Sequence, residues 1–279
     1  MNRKHHLQTI NISNTWFNST RSSNKGSAIE TISYCNLVIN SCIFTNLFST
    51  NEGGAIYHIG PISLMTKCCF MFCTVSSAFA PSQMGGNIFT IYGNTNLSFV
   101  HASRCAPLTT LGGDSLYHLN MGFFKVDEFN GTNNLTPFLG CISGAFHSAD
   151  KDSKIQYSLY FNSSDHNMFE SWDSINVLVS YSNFIKNTVS SNFMYSFSST
   201  IEVYSCSFYG NTHRVPYGIV TISNCLGDIE TSGIIIAPTT MQPATGVPEC
   251  DTLIPFITHE MAKLNQALVR WMFITFLLI

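Results

Sequence analysis

Sixteen acidic and nine histidine residues supply the groups most able to do chemistry in this chain of 279 residues. The densest acids are Asp150-Lys-Asp152 and Asp165-His166, with Glu170 and Asp173 beyond them. Two converging carboxylates would suit hydrolysis of a glycosidic bond. These acids, however, stand in Ser- and Asn-rich stretches that read as loops, where acidic side chains serve as solvated turn formers. His58 and His118 lie in two similar tetrads, Ile56-Tyr-His-Ile59 and Leu116-Tyr-His-Leu119. They read as equivalent positions of a repeat, facing solvent or the next coil, and as too far apart to share a metal. Cys68, Cys69 and Cys73 form a tight group, but a zinc site wants a second Cys/His pair and none follows. The glycines of Asn51–Gly60, NEGGAIYHIG, could cradle a phosphate only between a strand and a helix. No nucleophile elbow, P-loop or HExxH sequence occurs. The reading is no catalytic residue, no cofactor site and no metal site.

The elements around these residues follow from composition. Charged residues make up 10% of the chain, against about 25% in average proteins. Hydrophobic residues make up 45%. That excludes a disordered chain, which needs high charge and low hydrophobicity. Thirteen scattered Lys and Arg with a net charge of −3 exclude a phosphate-backbone binder, so no nucleic acid is expected as a partner. Polarity comes from Ser, Thr and Asn, and bulk from Phe and Tyr. Such residues favour strands and turns over helices. Ten cysteines leave two readings open, buried thiols or disulfides. Six N-glycosylation sequons begin at Asn11, Asn18, Asn96, Asn130, Asn134 and Asn162. A chain so rich in Asn, Ser and Thr carries about that many by chance.

A repeat organises the chain. Asn24-Lys-Gly26-Ser-Ala28-Ile29 matches Asn51-Glu-Gly53-Gly-Ala55-Ile56 at an offset of 27 residues. The same offset places Ile12 on Ile39, Phe17 on Phe44 and Ile32 on Ile59. Phe70 follows Phe44 by 26, and glycine pairs recur at Gly85-Gly86 and Gly112-Gly113. Further on, Val179–Thr188 matches Val203–Thr212 at an offset of 24. Between about Asn120 and Phe169 no register can be assigned. Each unit offers short alternating strands, a polar turn and a glycine-started strand. A unit that small buries its apolar face only by stacking on copies of itself. The expected fold is therefore all-β, a right-handed parallel β-helix solenoid, with a β-sandwich as the alternative. Asn is expected at coil corners, where it tolerates left-handed backbone, and in ladders of stacked side chains.

Gly53-Gly54-Ala55-Ile56, Phe184-Ile-Lys-Asn187 and Phe208-Tyr-Gly-Asn211 resemble the GGA-apolar and F-x-x-N elements of the polymorphic outer membrane protein repeat. They are similar also to right-handed β-helix surface proteins of protists. The resemblance covers roughly residues 10–225. It implies an adhesin-like or display role at a cell surface and no enzyme activity. The partner it implies is a host or cell-surface protein or glycan. The alternative is a carbohydrate-active β-helix, a polysaccharide lyase or glycoside hydrolase.

The repeats are expected to occupy residues 1–236. Residues 237–255 hold four prolines and read as an extended linker. Residues 256–279 read as a short C-terminal apolar helix, with Ile257, Met261, Leu264 and Leu268 on one face. Its end, Trp271–Ile279, is apolar all round. This favours a membrane anchor over a cap on the last coil, although a spanning helix needs about 20 apolar residues. The N-terminus has a basic start without an apolar signal core, which fits a fragment. The expected location is the cell surface, membrane-anchored or secreted, as a glycoprotein.

Overall fold

A computed structural model describes residues 8–227, apart from 33, 76–85, 106–114, 142–144, 148–152 and 213–215. It is a parallel β-solenoid. Nine segments stack on one sheet through eight parallel pairings, from Thr9–Ser13 to Tyr217–Ser223. In register, Ile12, Ile39, Met65, Leu97, Val126, Ile155, Val179, Val203 and Ile222 form one column. All nine are apolar and belong to the core or pack against it. Alternation explains the choice: every second residue points inward, so one inward column must be apolar throughout.

A second sheet runs beside the first, and its inward column begins Phe17, Phe44 and Phe70. Their rings stack at 4.9 and 4.6 Å between centroids. The column then loses its rings, because Ala102 and Gly131 come next before Tyr160, Phe184 and Phe208. The gap is filled from elsewhere. A third sheet stacks residues 29–31, 56–59, 89–92 and 117–120. Phe89 and Tyr117, on this third sheet, and Phe129, at a corner, carry the aromatic thread from Phe70 to Tyr160. Each such contact adds about 0.5–1.5 kcal/mol beyond burial. Gly131 makes room for this detour. A Cβ there would meet the Phe129 ring at 3.2 Å and the Tyr160 ring at 3.3 Å.

The corners repeat as strictly as the sheets. After the first sheet the backbone turns through a left-handed residue on every rung: Asn14, Ser41, Lys67, Phe99, Glu128, Tyr157, Tyr181, Ser205 and Asn224. After the second it does so at Ser19, Asn46, Phe72, Arg104, Asn133, Asn162, Lys186 and Gly210. Asn is frequent here, as expected. Yet Phe and Tyr accept the same turn, at a cost of about 1–2 kcal/mol each. Stacking offsets it: corner N–H groups donate to carbonyls of the next rung, as Phe72 does to Ser103 and Tyr181 to Tyr204.

From the second rung on, the residue after each of these two corners turns inward, and most are polar or cysteine, with Leu47, Val100 and Phe129 the apolar exceptions. At the second corner these residues form a column that, after Leu47, runs Cys73, Cys105, Asn134, Ser163, Asn187 and Asn211. The N–H of Cys105 donates to Asn134 Oδ1, that of Asn134 to Ser163 Oγ, that of Ser163 to Asn187 Oδ1, and that of Asn187 to Asn211 Oδ1. The amide nitrogens of Asn134, Asn187 and Asn211 donate in turn to backbone carbonyls of Ala102, Tyr160 and Phe184. This is the expected asparagine ladder, and it satisfies buried backbone groups that the turn removes from the sheets.

The glycines of NEGGAIYHIG and of its earlier copy are structural. Gly26 and Gly53 both adopt positive φ, and a Cβ on Gly53 would lie 2.0 Å from the Ile56 carbonyl oxygen. Only glycine fits there. The 27-residue match is the pairing itself, with Ile29 on Ile56 and Phe17 on Phe44. The unassigned middle keeps a 29-residue rung, with Val126 on Ile155 and Gly131 on Tyr160. Among the described residues there is no helix long and apolar enough to cross a membrane. The expected linker, C-terminal helix and Trp271–Ile279 anchor lie outside the described residues.

Candidate functional site

The residues singled out in the sequence do not meet in one site. Asp150 and Asp152 lie outside the described residues. Asp165 is placed in the strand Ser164–Asn167. His166 Nδ1 lies 3.3 Å from Ser190 Oγ on the next rung. Asp173 is an exposed corner residue with positive φ. Glu170 is buried, accepting hydrogen bonds from Trp172 Nε1 and Asn167 Nδ2. Its carboxyl is held above the usual range by burial, which these two donors partly oppose. Among the described residues, no three His, Cys, Asp or Glu side chains could hold a metal.

The histidine reading is corrected. His58 pairs with Ile91 and so with Leu119, whereas His118 pairs with Thr90 and so with Tyr57. The two are one register step apart, which turns them to opposite faces. A shift between Gly86 and Phe89 moves the later tetrad by that step. Neither faces solvent; both are buried. His58 meets a neighbouring rung, where Nδ1 bonds with the Thr31 hydroxyl. Burial holds its imidazole below the ordinary pKa.

The cysteine group also separates. Cys68 follows the first corner and Cys73 the second, so they point into different columns, while Cys69 lies between them on the second sheet. All eight cysteines with described side chains are free thiols.

Among the described residues, a cavity lies elsewhere, on the outer face of the second sheet. It has a volume of about 530 Å³, and its walls include Phe72, His101, Arg104, Asn130, Asn133 and Phe161. The corner fixes Arg104: its N–H donates to the Thr132 carbonyl at 3.1 Å, and its guanidinium lies 5.7 Å from the Phe72 ring centre. Asn162 Nδ2 donates to Asn133 Oδ1 at 2.7 Å, bracing the far wall. Asn130 Oδ1 is buried without a hydrogen-bond partner. No carboxylate lines the cavity. Sequence reasoning missed it, because its residues come from four rungs and form no motif. The only trace was the sequon at Asn130.

A second outward feature is an aromatic strip on the third sheet. Glu170, Tyr195 and Tyr217 share one register column, with Trp172 and Phe197 in the next. Tyr195 and Tyr217 stack at 5.0 Å with planes 8° apart, and Trp172 packs on Tyr195 and Phe197. Tyr217 and Phe197 are exposed.

These features define a parallel β-solenoid with a lined outer cleft and an exposed aromatic strip. Searches of family models, curated proteins and solved structures find no match to the chain.

Proposed function

We propose that the protein is a non-catalytic, surface-exposed binding solenoid with an adhesin-like or display role, of the polymorphic outer membrane protein type. One observation carries this reading. Stacked rungs set aromatic side chains into outer columns, as in exposed Tyr217 on half-buried Tyr195 and in exposed Tyr157 and Tyr181, whose rings stack at 5.4 Å. Contiguous exposed apolar surface on a single chain marks an interaction site. Flat rings of this kind suit the apolar face of a sugar or a protein side chain. The partner is accordingly a host or cell-surface glycan or protein, and the setting is a cell surface.

The test is binding of the full chain to glycan arrays and to intact cells, beside a variant carrying Phe197→Ser, Tyr217→Ser and Tyr181→Ser. The expected result is binding that the variant loses while its thermal unfolding stays close to wild type. An absence of binding to every glycan and cell type sinks the reading. Tethering through Trp271–Ile279 belongs to the same proposal. It predicts that the full chain partitions into detergent and that a chain ending at Cys250 does not.

Glu170 favours a second reading, a carbohydrate-active enzyme, because a buried carboxyl with a raised pKa beside aromatic rings could act as a general acid. Release of reducing or unsaturated sugars from polysaccharides, abolished by Glu170→Gln, would establish it instead.

A further inference from the structure

We propose that the cleft beside Arg104 binds a carboxylated sugar residue. The inference rests on the reading of this protein as a binding solenoid and names the ligand class of one site on it.

Charge comes first. Arg104 takes part in neither of the ion pairs found among the described residues, Lys25–Glu52 and Lys125–Asp127. No acidic residue lines the cleft. The outer positions of the second sheet around it, Met71, His101, Ser103, Asn130, Thr132, Leu159 and Phe161, are likewise free of acids. The chain as a whole is net negative, so this stretch departs from its average. A guanidinium presents a rigid fork that matches a carboxylate with two parallel hydrogen bonds. Stacking over Phe72 orients that fork at the rim.

The second requirement comes from the polar wall. Asn130, Asn133, Ser103 and Thr132 line the cleft with amide and hydroxyl groups. A bare anion meets the donors among them but offers no O–H group to the acceptors, whereas a sugar does both. Phe72, Phe161, Leu159 and Met71 give an apolar side for the C–H face of the ring. A volume of about 530 Å³ lies within the usual range for small-molecule sites and far exceeds what a lone inorganic anion fills. A ligand that joins an anion, several hydroxyls and an apolar ring face is an acidic sugar.

The experiment titrates the full chain by calorimetry with galacturonate and glucuronate disaccharides and with sialyllactose. Each is compared with its uncharged counterpart: the carboxyl-reduced disaccharides, and lactose. Inorganic sulfate and a sulfated disaccharide are run in parallel. At least one carboxylated ligand is expected to bind ten-fold or more tighter than its neutral form. Arg104→Gln is expected to remove that preference, bringing the charged and neutral forms to equal affinity, and Lys186→Gln at the same corner to leave the preference in place. Equal affinity for charged and neutral forms overturns the proposal without a variant, and leaves the general binding reading intact if both bind. Competition by sulfate alone at the same strength, or a preference that survives Arg104→Gln, overturns it too. If no sugar binds here while cells are still bound, this site assignment fails and the binding reading stands. If nothing binds in any assay, both fail.

Discussion

The hydroxyls of Tyr117 and Tyr160 meet at 3.1 Å in the core, although the two residues stand on different sheets and are 43 positions apart in the chain. They meet because Gly131, in register with Tyr160, contributes no side chain of its own. The aromatic column of the second sheet is absent at Ala102 and Gly131, and rings from the third sheet and a corner occupy the space. Restoring the repeat's aromatic should therefore harm the protein. Gly131→Ala forces the Phe129 and Tyr160 rings apart and is expected to lower stability by about 1–3 kcal/mol. Gly131→Phe should cost more than Gly131→Ala. Urea unfolding of both variants checks this; a Gly131→Phe protein as stable as wild type would refute the detour.

The same detour explains what could be read from the chain. The rungs at Ile12–Ile39 and Val179–Val203 were legible because both the apolar and the Phe columns repeat there at a fixed offset. Between Asn120 and Phe169 the apolar column persists at Val126 and Ile155, but Gly131 removes the Phe that would have announced the rung. The Tyr-His tetrads misled for a related reason. Two residues of identity matched them, while an irregularity of one residue decided which face each histidine takes. The cleft was invisible because stacking, not sequence neighbourhood, brings Arg104, Asn130 and Phe161 together. Lone residues at 24- to 32-residue spacing leave no local pattern.

Asn187 holds three rungs at once. Its Oδ1 accepts from the Ser163 N–H, and its Nδ2 donates to the Tyr160 carbonyl and to Asn211 Oδ1. Asn187→Leu keeps the volume and orphans those buried groups. Leaving a buried donor or acceptor unmet costs about 1–3 kcal/mol, so a loss at or above the top of that range is expected. Asn187→Asp is expected to be worse, because it buries a charge. Amide hydrogen exchange gives the local reading: the N–H of Ser163 should exchange faster in Asn187→Leu than in wild type. Unchanged protection there would show that the ladder adds nothing.

Glu170 makes stability depend on pH. Burial raises its pKa in the folded chain above the unfolded value. Between the ordinary carboxylate value of about 4.3 and the raised one, the folded state binds more protons than the unfolded state, so stability falls as pH rises through that window. Each unit of difference is worth about 1.4 kcal/mol. Glu170→Gln cannot titrate, and its stability should change less across the same window. Parallel slopes for wild type and variant in pH-dependent urea melts would contradict the assignment.

The stacked thiols give the last prediction. Cys206 and Cys225 follow the first corner on adjacent rungs, and the Cys206 N–H lies 3.4 Å from Cys225 Sγ. Desolvation pushes the Cys206 thiol well up, while a hydrogen bond from Cys206 brings that of Cys225 down. Burial likewise raises Cys42, Cys68 and Cys73. The thiolate is the reactive form. Under iodoacetamide at mildly alkaline pH, Cys225 should therefore be modified before Cys42, Cys68, Cys73 and Cys206. Cys206→Ala keeps the backbone N–H but removes the Cys206 thiol, whose hydrogen bond is the larger cause of the lowering, and should slow that modification. The raised thiols favour the folded state only while neutral. Above the ordinary thiol value of about 8.5 the unfolded chain ionises first, so their contribution is lost as pH climbs further. Peptide mass spectrometry of partly alkylated protein decides the order. Modification of Cys73 ahead of Cys225 would mean that the folded stack does not control thiol reactivity.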